Sequence, residues 1–242
     1  MWSAPAAKRT VSISRSFVLK LSDFSAVIFD MDGLVLDTET TYFAAWQQAA
    51  KAMGYTLPES FCLSLSGLHY KDVKLKLMAY CGADFNLQSF NQLSAIYWHE
   101  HVNAHGINIK YGFTELLEFI VQQQIPYCLA TNSRAVNAYE CLEIAGIKDV
   151  FSTIITRDDV QQGKPAPDIF LKASELLQAP ISQCMVLEDS HAGVVAAFRA
   201  GAFSMFVPST EAADPLTVEL CDIMMIDLAH ALILLKDGRR GG

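Results

Sequence analysis

Seven residues in this sequence have the types and the spacing for chemistry on a phosphate ester. Asp30 and Asp32 stand two apart after the apolar run of "AVIFDMDGLVLDTE", Thr131 and Asn132 follow "PYCLA", Lys164 precedes Pro165, and Glu188 and Asp189 close "CMVLED". Four carboxylates gathered at one place would repel one another and raise their own pKa values unless a cation sat among them. Oxygen-only ligands favour Mg²⁺, which keeps part of its water shell and takes a few carboxylates together with substrate phosphate oxygens. With that cation present, Asp30 can attack phosphorus while Asp32 delivers a proton to the leaving oxygen. Attack by a carboxylate on a phosphate dianion also needs positive charge at the equatorial oxygens. Mg²⁺ and Lys164 supply it, and the Thr131 hydroxyl with the backbone N–H groups after it holds a phosphate oxygen. Gly33 allows a tight turn beside the phosphate.

Each of these features alone has a purely structural reading. Asp-x-Asp occurs as an Asx-type cap at strand ends. Thr-Asn-Ser and Glu-Asp-Ser commonly cap helices, and a loop lysine beside proline is commonly solvated. Their joint appearance, in this order and each at a strand end or in the loop after it, favours the chemical reading.

The elements that must bring these residues together alternate along the chain. "SAVIFD", "PYCLAT", "STIIT", "CMVLED" and "FSMFVP" read as buried strands, with helical periods in "FTELLEFIVQQQ", "RAVNAYECLEIAG", "PDIFLKASELLQ" and "AGVVAAFRAG" between them. Strands separated by such helices imply βαβ crossovers and a parallel sheet, whose ligands lie at the carboxyl ends of the strands. After the first strand the pattern is helical only, in "TYFAAWQQAAKAMG", "YKDVKLKLMAYCG" and "LQSFNQLSAIYWHEHVNAHG", each closed by a glycine. The expected organisation is an α/β, Rossmann-like parallel core from 23–38 and 107–236, an inserted helical cap from 39–106, and a leader over 1–22.

Composition narrows the function. The chain has 242 residues, 52% of them hydrophobic, and 18 Lys plus Arg against 26 Asp plus Glu give a net charge of −8. With no basic stripe in its body, nucleic acid is not an expected partner. No apolar run reaches the roughly 18 residues of a membrane span. The leader is basic and hydroxyl-rich without an acid, which resembles a transit peptide but equally describes a loose extension or an edge strand. Cys62, Cys81, Cys128, Cys141, Cys184 and Cys221 lack CxxC spacing and read as small buried hydrophobes in a reducing compartment, so a cytoplasmic protein without structural zinc is expected, with a monomer as the default state.

"FDMDGLVLDTE", "ATNS", "GKPAPDIF" and "MVLEDSHAGVVAAFRAG" together resemble the four ordered motifs of the haloacid dehalogenase-like (HAD) phosphotransferases, over roughly residues 24–208. The resemblance implies that Asp30 forms an aspartyl-phosphate and that Asp32 is the general acid and base. It further implies that Thr131 and Lys164, with Asn132 beside them, bind the phosphoryl group. Asp30, the Asp32 backbone carbonyl and Asp189 would hold Mg²⁺, with Glu188 a direct or water-mediated ligand. The helical insert is similar to the small cap of the subgroup containing β-phosphoglucomutase and many sugar-phosphate and nucleotide phosphatases.

Asp32 argues against dehalogenation, because the family's dehalogenases lack a carboxylate there. The expected activity is hydrolysis of a small phosphate monoester. A phosphosugar mutase is the alternative, weakened because the β-phosphoglucomutase pattern has His where this chain has Tyr42 and Arg where it has Tyr70. A non-catalytic binding subunit is a further alternative. Tyr42, Trp46, His69, Tyr70 and Lys71 are the cap candidates for substrate selection, although aromatics at helical spacing also suit a cap core. His99, His101 and His105 read as a solvated helix rather than a zinc site, since Val102 occupies the place of the glutamate that a zinc-protease motif requires. His191 reads as a first-turn helix residue.

Overall fold

The structure is a computed structural model describing residues 19–65, 70–209 and 214–237. Most of the expected leader, residues 1–18, lies outside that description. Leu19 and Leu21, at its end, are buried against the core.

Five apolar runs form the expected strands: β1 (Ala26–Phe29), β2 (Tyr127–Ala130), β3 (Ile154–Ile155), β4 (Cys184–Glu188) and β5 (Phe203–Phe206). A sixth, β6 (Ile223–Met224), extends one edge, and the order β3-β2-β1-β4-β5-β6 is parallel at every pairing. The central strands read as unbroken apolar runs because helices cover both of their faces. On β1, Val27 and Phe29 face one cluster, with Phe113, Leu116 and Ile120 of α5 (Phe113–Gln122), and with Leu234 and Leu235 of α10 (Leu228–Asp237). Ala26 and Ile28 face the other cluster, with Ile169 and Phe170 of α7 (Asp168–Leu176) and Ala196 and Ala197 of α8 (His191–Ala200). That alternation is the period-two rule of a strand, and each large apolar side chain buried by it contributes roughly 1.5–3 kcal/mol. Helix α6 (Ala135–Ile144) completes the layer beside β2 and β3.

Between β1 and α5 lie α1 (Thr38–Ala52), α2 (Glu59–Leu63), α3 (Tyr70–Cys81) and α4 (Leu87–His105). They have their own apolar centre of Ala49, Ala50, Leu57, Leu77 and Phe90, distinct from the two core clusters. The insert's two connections run side by side. Leu36 pairs antiparallel with Ile109, Asp37 N–H donates to Asn108 O at 2.9 Å, and Lys110 N–H donates to Val35 O at 2.9 Å.

The helices α2, α9 (Pro215–Leu220) and α10, and strand β6, are additions to the expected elements. No helix among the described residues is long and apolar enough to cross a membrane. The six cysteines are free. Cys62, Cys128, Cys141 and Cys184 are buried as expected, whereas Cys81 and Cys221 are only half-buried.

Candidate active site

Parallel packing sets the carboxyl ends of β1, β2 and β4 side by side, and the expected residues gather there. Asp30 follows β1 directly, anchored by its N–H to Leu187 O at 3.0 Å, and Glu188 ends β4 with Asp189 next to it. Glu188 has no exposed surface, and Asp30, Asp189 and Lys164 are buried.

Lys164 is the hub of this group. Its ammonium donates to Asp30 Oδ1, to Glu188 Oε1 and to the carbonyl of Ala130 at 2.9 Å, which uses all three of its N–H bonds. The loop that carries it is held by the Asn132 amide. Asn132 Oδ1 accepts from Lys164 N at 2.8 Å, and Asn132 Nδ2 donates to Lys164 O at 3.1 Å. Asn132 thus grips the lysine backbone, where a phosphate contact was expected, although it also borders the cleft. The Lys164–Pro165 peptide is cis.

Burial by itself would pull the Lys164 pKa down, but Asp30 and Glu188 outweigh that and hold it above the ordinary lysine range. Asp30 is pushed well up, first by burial and then by the charge of Glu188, against the opposing pull of Lys164. Asp189 is also pushed up, by burial and by the charges of Asp30 and Glu188. Both shifts reflect acids buried close to one another.

Asp32 has different surroundings. Thr38 Oγ1 donates to its Oδ1 at 2.8 Å, while Thr131 Oγ1 and Ser133 Oγ donate to its Oδ2 at 3.1 and 2.8 Å. Three hydroxyls orient this carboxylate, and among the described residues it forms no ion pair. Thr131 Oγ1 also accepts from Ser133 N at 2.9 Å, so the hydroxyl expected to hold a phosphate oxygen turns toward Asp32 and into its own loop. Thr38 and Ser133 are the partners that the sequence reading left out. A hydroxyl two residues past Thr131, and a threonine at the start of the first cap helix, were the available signals.

The local structure decides between the structural and chemical readings of these motifs. Helix α6 has Arg134 at its N-cap without a side-chain cap, and Asp158 Oδ2 accepts from Ala135 N at 3.0 Å instead, so Thr131–Ser133 is not a helix cap. At α8 the cap is Ser190, whose hydroxyl accepts from Gly193 N at 3.0 Å and donates to Glu188 Oε2 at 3.0 Å. Ser190 is therefore the residue that caps α8, while Glu188 Oε2 holds Ser190 in place by also accepting its N–H at 3.2 Å. Gly33, at φ +83°, turns the backbone past Asp189, and a β-carbon there would lie 2.0 Å from Asp189 Oδ2. The close approach that requires glycine is to this carboxylate. His191 opens α8 as expected, its ring 2.7 Å from Thr217 Oγ1.

Asp30, Glu188 and Asp189 each offer an oxygen within 4.8 Å of the others'. This all-oxygen, net-negative, buried set suits a hard divalent cation such as Mg²⁺. The Asp32 carboxylate stands outside it.

A cleft of about 650 Å³ opens over these residues. Its floor includes Asp30, Asp32, Lys164 and Asp189, its core-side wall Ser133, Arg157 and Gln162, and its cap side Glu39, Tyr42, Phe43 and Trp46. Tyr42 stacks between Trp46 and Trp98, at centroid distances of 6.3 and 5.7 Å, and burial together with the charge of Asp32 pushes its phenol well above its usual pKa. Of the other cap candidates, His69 lies outside the described residues. Tyr70 and Lys71 belong to α3, but their side chains lie outside the description. His101 and His105 stack at 4.5 Å on the surface and gather no third ligand among the described residues.

Comparison with known proteins agrees with this arrangement. Residues 27–207 match the family described as haloacid dehalogenase-like hydrolase. A phosphorylated carbohydrates phosphatase of Thermotoga maritima is 32% identical over 179 residues, covering 73% of this chain and 81% of the relative. A β-phosphoglucomutase of Bacillus subtilis is 28% identical over 190 residues, covering 75% and 82%. The crystal structure of a HAD hydrolase, family IA, variant 3, from Entamoeba histolytica superposes with a TM-score of 0.70 at 25% identity, covering 88% of this chain and 99% of the other. An α/β core with buried acids at its strand ends, carrying the ordered motifs through residue 207, makes this chain an enzyme of the haloacid dehalogenase-like hydrolase family.

Proposed function

We propose that this enzyme is a Mg²⁺-dependent phosphatase of small phosphate monoesters, of the sugar-phosphate or nucleoside-monophosphate type. The observation that carries this reading is the unlike treatment of two neighbouring carboxylates. Asp30 is buried against Lys164 at a strand end, while Asp32 is turned away and held by three hydroxyls. One is placed to attack and the other to transfer a proton. The phosphatase relative supports the same reading.

In this mechanism an Asp30 oxygen forms a bond to phosphorus as the bond from phosphorus to the ester oxygen breaks, and Asp32 gives that oxygen its proton. Water then attacks the aspartyl-phosphate, Asp32 takes the water's proton, and inorganic phosphate leaves with Asp30 restored. Lys164 keeps positive charge beside Asp30 throughout, positioned by the Asn132 amide. Asp30, Glu188 and Asp189 would hold Mg²⁺, which when bound offsets the charge of the attacking carboxylate and of the phosphoryl oxygens. Residues 39–106 act as a cap whose aromatic face excludes bulk water and selects the ester's organic part.

The same covalent step followed by transfer to a second sugar hydroxyl would make a mutase, a reading that the Bacillus subtilis relative keeps in view. The test is phosphate release across sugar phosphates, nucleoside monophosphates and small phosphoacids, with Mg²⁺ or a chelator, for the wild type and Asp30→Asn. Metal-dependent release lost in Asp30→Asn is the expected result. Full turnover by Asp30→Asn would overturn the proposal, and an isomerised sugar phosphate without stoichiometric free phosphate would assign the mutase.

A further inference from the structure

Lys164 and Arg157 are the two cationic side chains among the described residues that line the cleft. Lys164 is consumed by Asp30, Glu188 and Ala130 O. Arg157 is not: among the described residues it forms no ion pair, although the chain carries a net charge of −8. The two acids that follow it are engaged elsewhere. Asp158 meets Arg134 at 3.3 Å, and Asp159 Oδ2 accepts from Thr156 N and Oγ1 at 2.8 and 2.7 Å.

The guanidinium is nevertheless fixed. Nη1 donates to Val160 O at 2.9 Å and Nη2 to Gln161 O at 3.2 Å, while the Arg157 backbone N–H donates to Ser133 O at 3.0 Å. Those two carbonyls use two of its five N–H groups, so hydrogen-bonding capacity remains on the guanidinium. A β-carbon on Gly163 would lie 2.7 Å from Arg157 Cδ, so the side chain runs along the backbone next to Lys164. A pre-positioned guanidinium at the cleft wall is suited to capture of a carboxylate or phosphate.

We infer that Arg157 is a specificity residue for a second anionic group on the substrate, so that the preferred monoesters carry a carboxylate or another phosphate besides the one transferred. This rests on the phosphatase reading above. The competing role is structural, with Arg157 only tying down the Val160–Gln161 turn in the loop that leads to Lys164.

The test compares matched esters: glucose 6-phosphate against 6-phosphogluconate, and fructose 1-phosphate against fructose 1,6-bisphosphate, with Mg²⁺, for the wild type, Arg157→Gln and Arg157→Lys. The wild type is expected to favour the doubly anionic member of at least one pair, and which pair it is distinguishes a carboxylate from a phosphate. In Arg157→Gln the ratio of kcat/KM within that pair should fall by about 10–100-fold, chiefly through KM, with Arg157→Lys intermediate. A wild type without the preference, or an equal loss on both members, overturns the inference and leaves Arg157 as a loop tie. No phosphate from any ester, including those of the broader panel, is instead the failure of the phosphatase reading, and the inference falls with it.

Discussion

The strand-end floor of the cleft and the helical cap above it differ in the polar side chains they bury, charged on the floor and neutral in the cap. On the floor, Lys164 satisfies all its N–H bonds, Asp32 accepts three hydroxyls, and Glu188 is bonded through both oxygens. In the cap, Ser94 Oγ is buried with no hydrogen-bond partner among the described residues. The cap side of the cleft is largely aromatic and aliphatic, with Tyr42, Phe43, Trp46, Leu65 and Val73. A network of charges in a low-dielectric site tolerates little displacement, whereas apolar packing tolerates exchange at nearly constant volume. The floor is thus the less tolerant of substitution and the cap the more tolerant.

The sharpest test of that contrast sets Asp30→Asn against Trp46→Leu. Loss of the nucleophile should lower phosphate release by at least ~10³-fold on every ester, while the cap substitution should reorder the esters by up to about 10-fold in kcat/KM. A ranking unchanged by Trp46→Leu would remove Trp46 from substrate selection.

Next in size is a pair of glycines. A β-carbon on Gly193 would fall 1.8 Å from Glu188 Cδ, whereas one on Gly54, in the cap at φ +84°, meets nothing within 4 Å. Gly193→Ala should cost at least about 2 kcal/mol in urea unfolding, and Gly54→Ala about 1 kcal/mol from its backbone conformation alone. Equal losses would show that the floor yields as readily as the cap.

Ser94→Ala removes the unpartnered hydroxyl and should leave stability unchanged or raise it by about 1 kcal/mol, read from the same unfolding curves. A loss above about 1 kcal/mol would reveal a partner for that oxygen.

The smallest effect concerns acid stability. The hydrogen bonds from Thr156 hold the Asp159 carboxyl below its ordinary pKa. A depressed folded pKa contributes stability above the unfolded value of about 4 and loses it as pH falls through the folded value. Asp159→Asn should therefore flatten the fall of Tm below about pH 4, and an unaltered acid limb would contradict the assignment.

How much of this was legible in the sequence follows from how local each cause is. Strands β1, β2 and β4 were readable because burial on both faces forces an unbroken apolar run, and the site acids stand where those runs stop. Strand β6 has two residues, as β3 does, but only β3 stands in a β-branched run, "STIIT"; α2 has five residues, too few to establish a helical period. The pairing of the Asn132 amide with the backbone of Lys164, 32 positions away, has no signal near either residue. Arg157 did not stand out within "TRDD", because two aspartates follow it directly and only tertiary packing shows that both have partners other than its guanidinium. Trp98 Nε1–H donates to Thr41 Oγ1 at 2.9 Å, a link between α1 and α4 that helical period alone could not reveal.

The paired connections at Leu36 and Ile109 give the insert a topological property as well as an attachment. Because its two ends leave the core at neighbouring backbone positions, the chain from 37 to 108 is a detour that returns to its own starting point. A short turn across that gap would leave every strand pairing of the sheet in register. The insert is therefore separable in topology from the sheet that carries the acids.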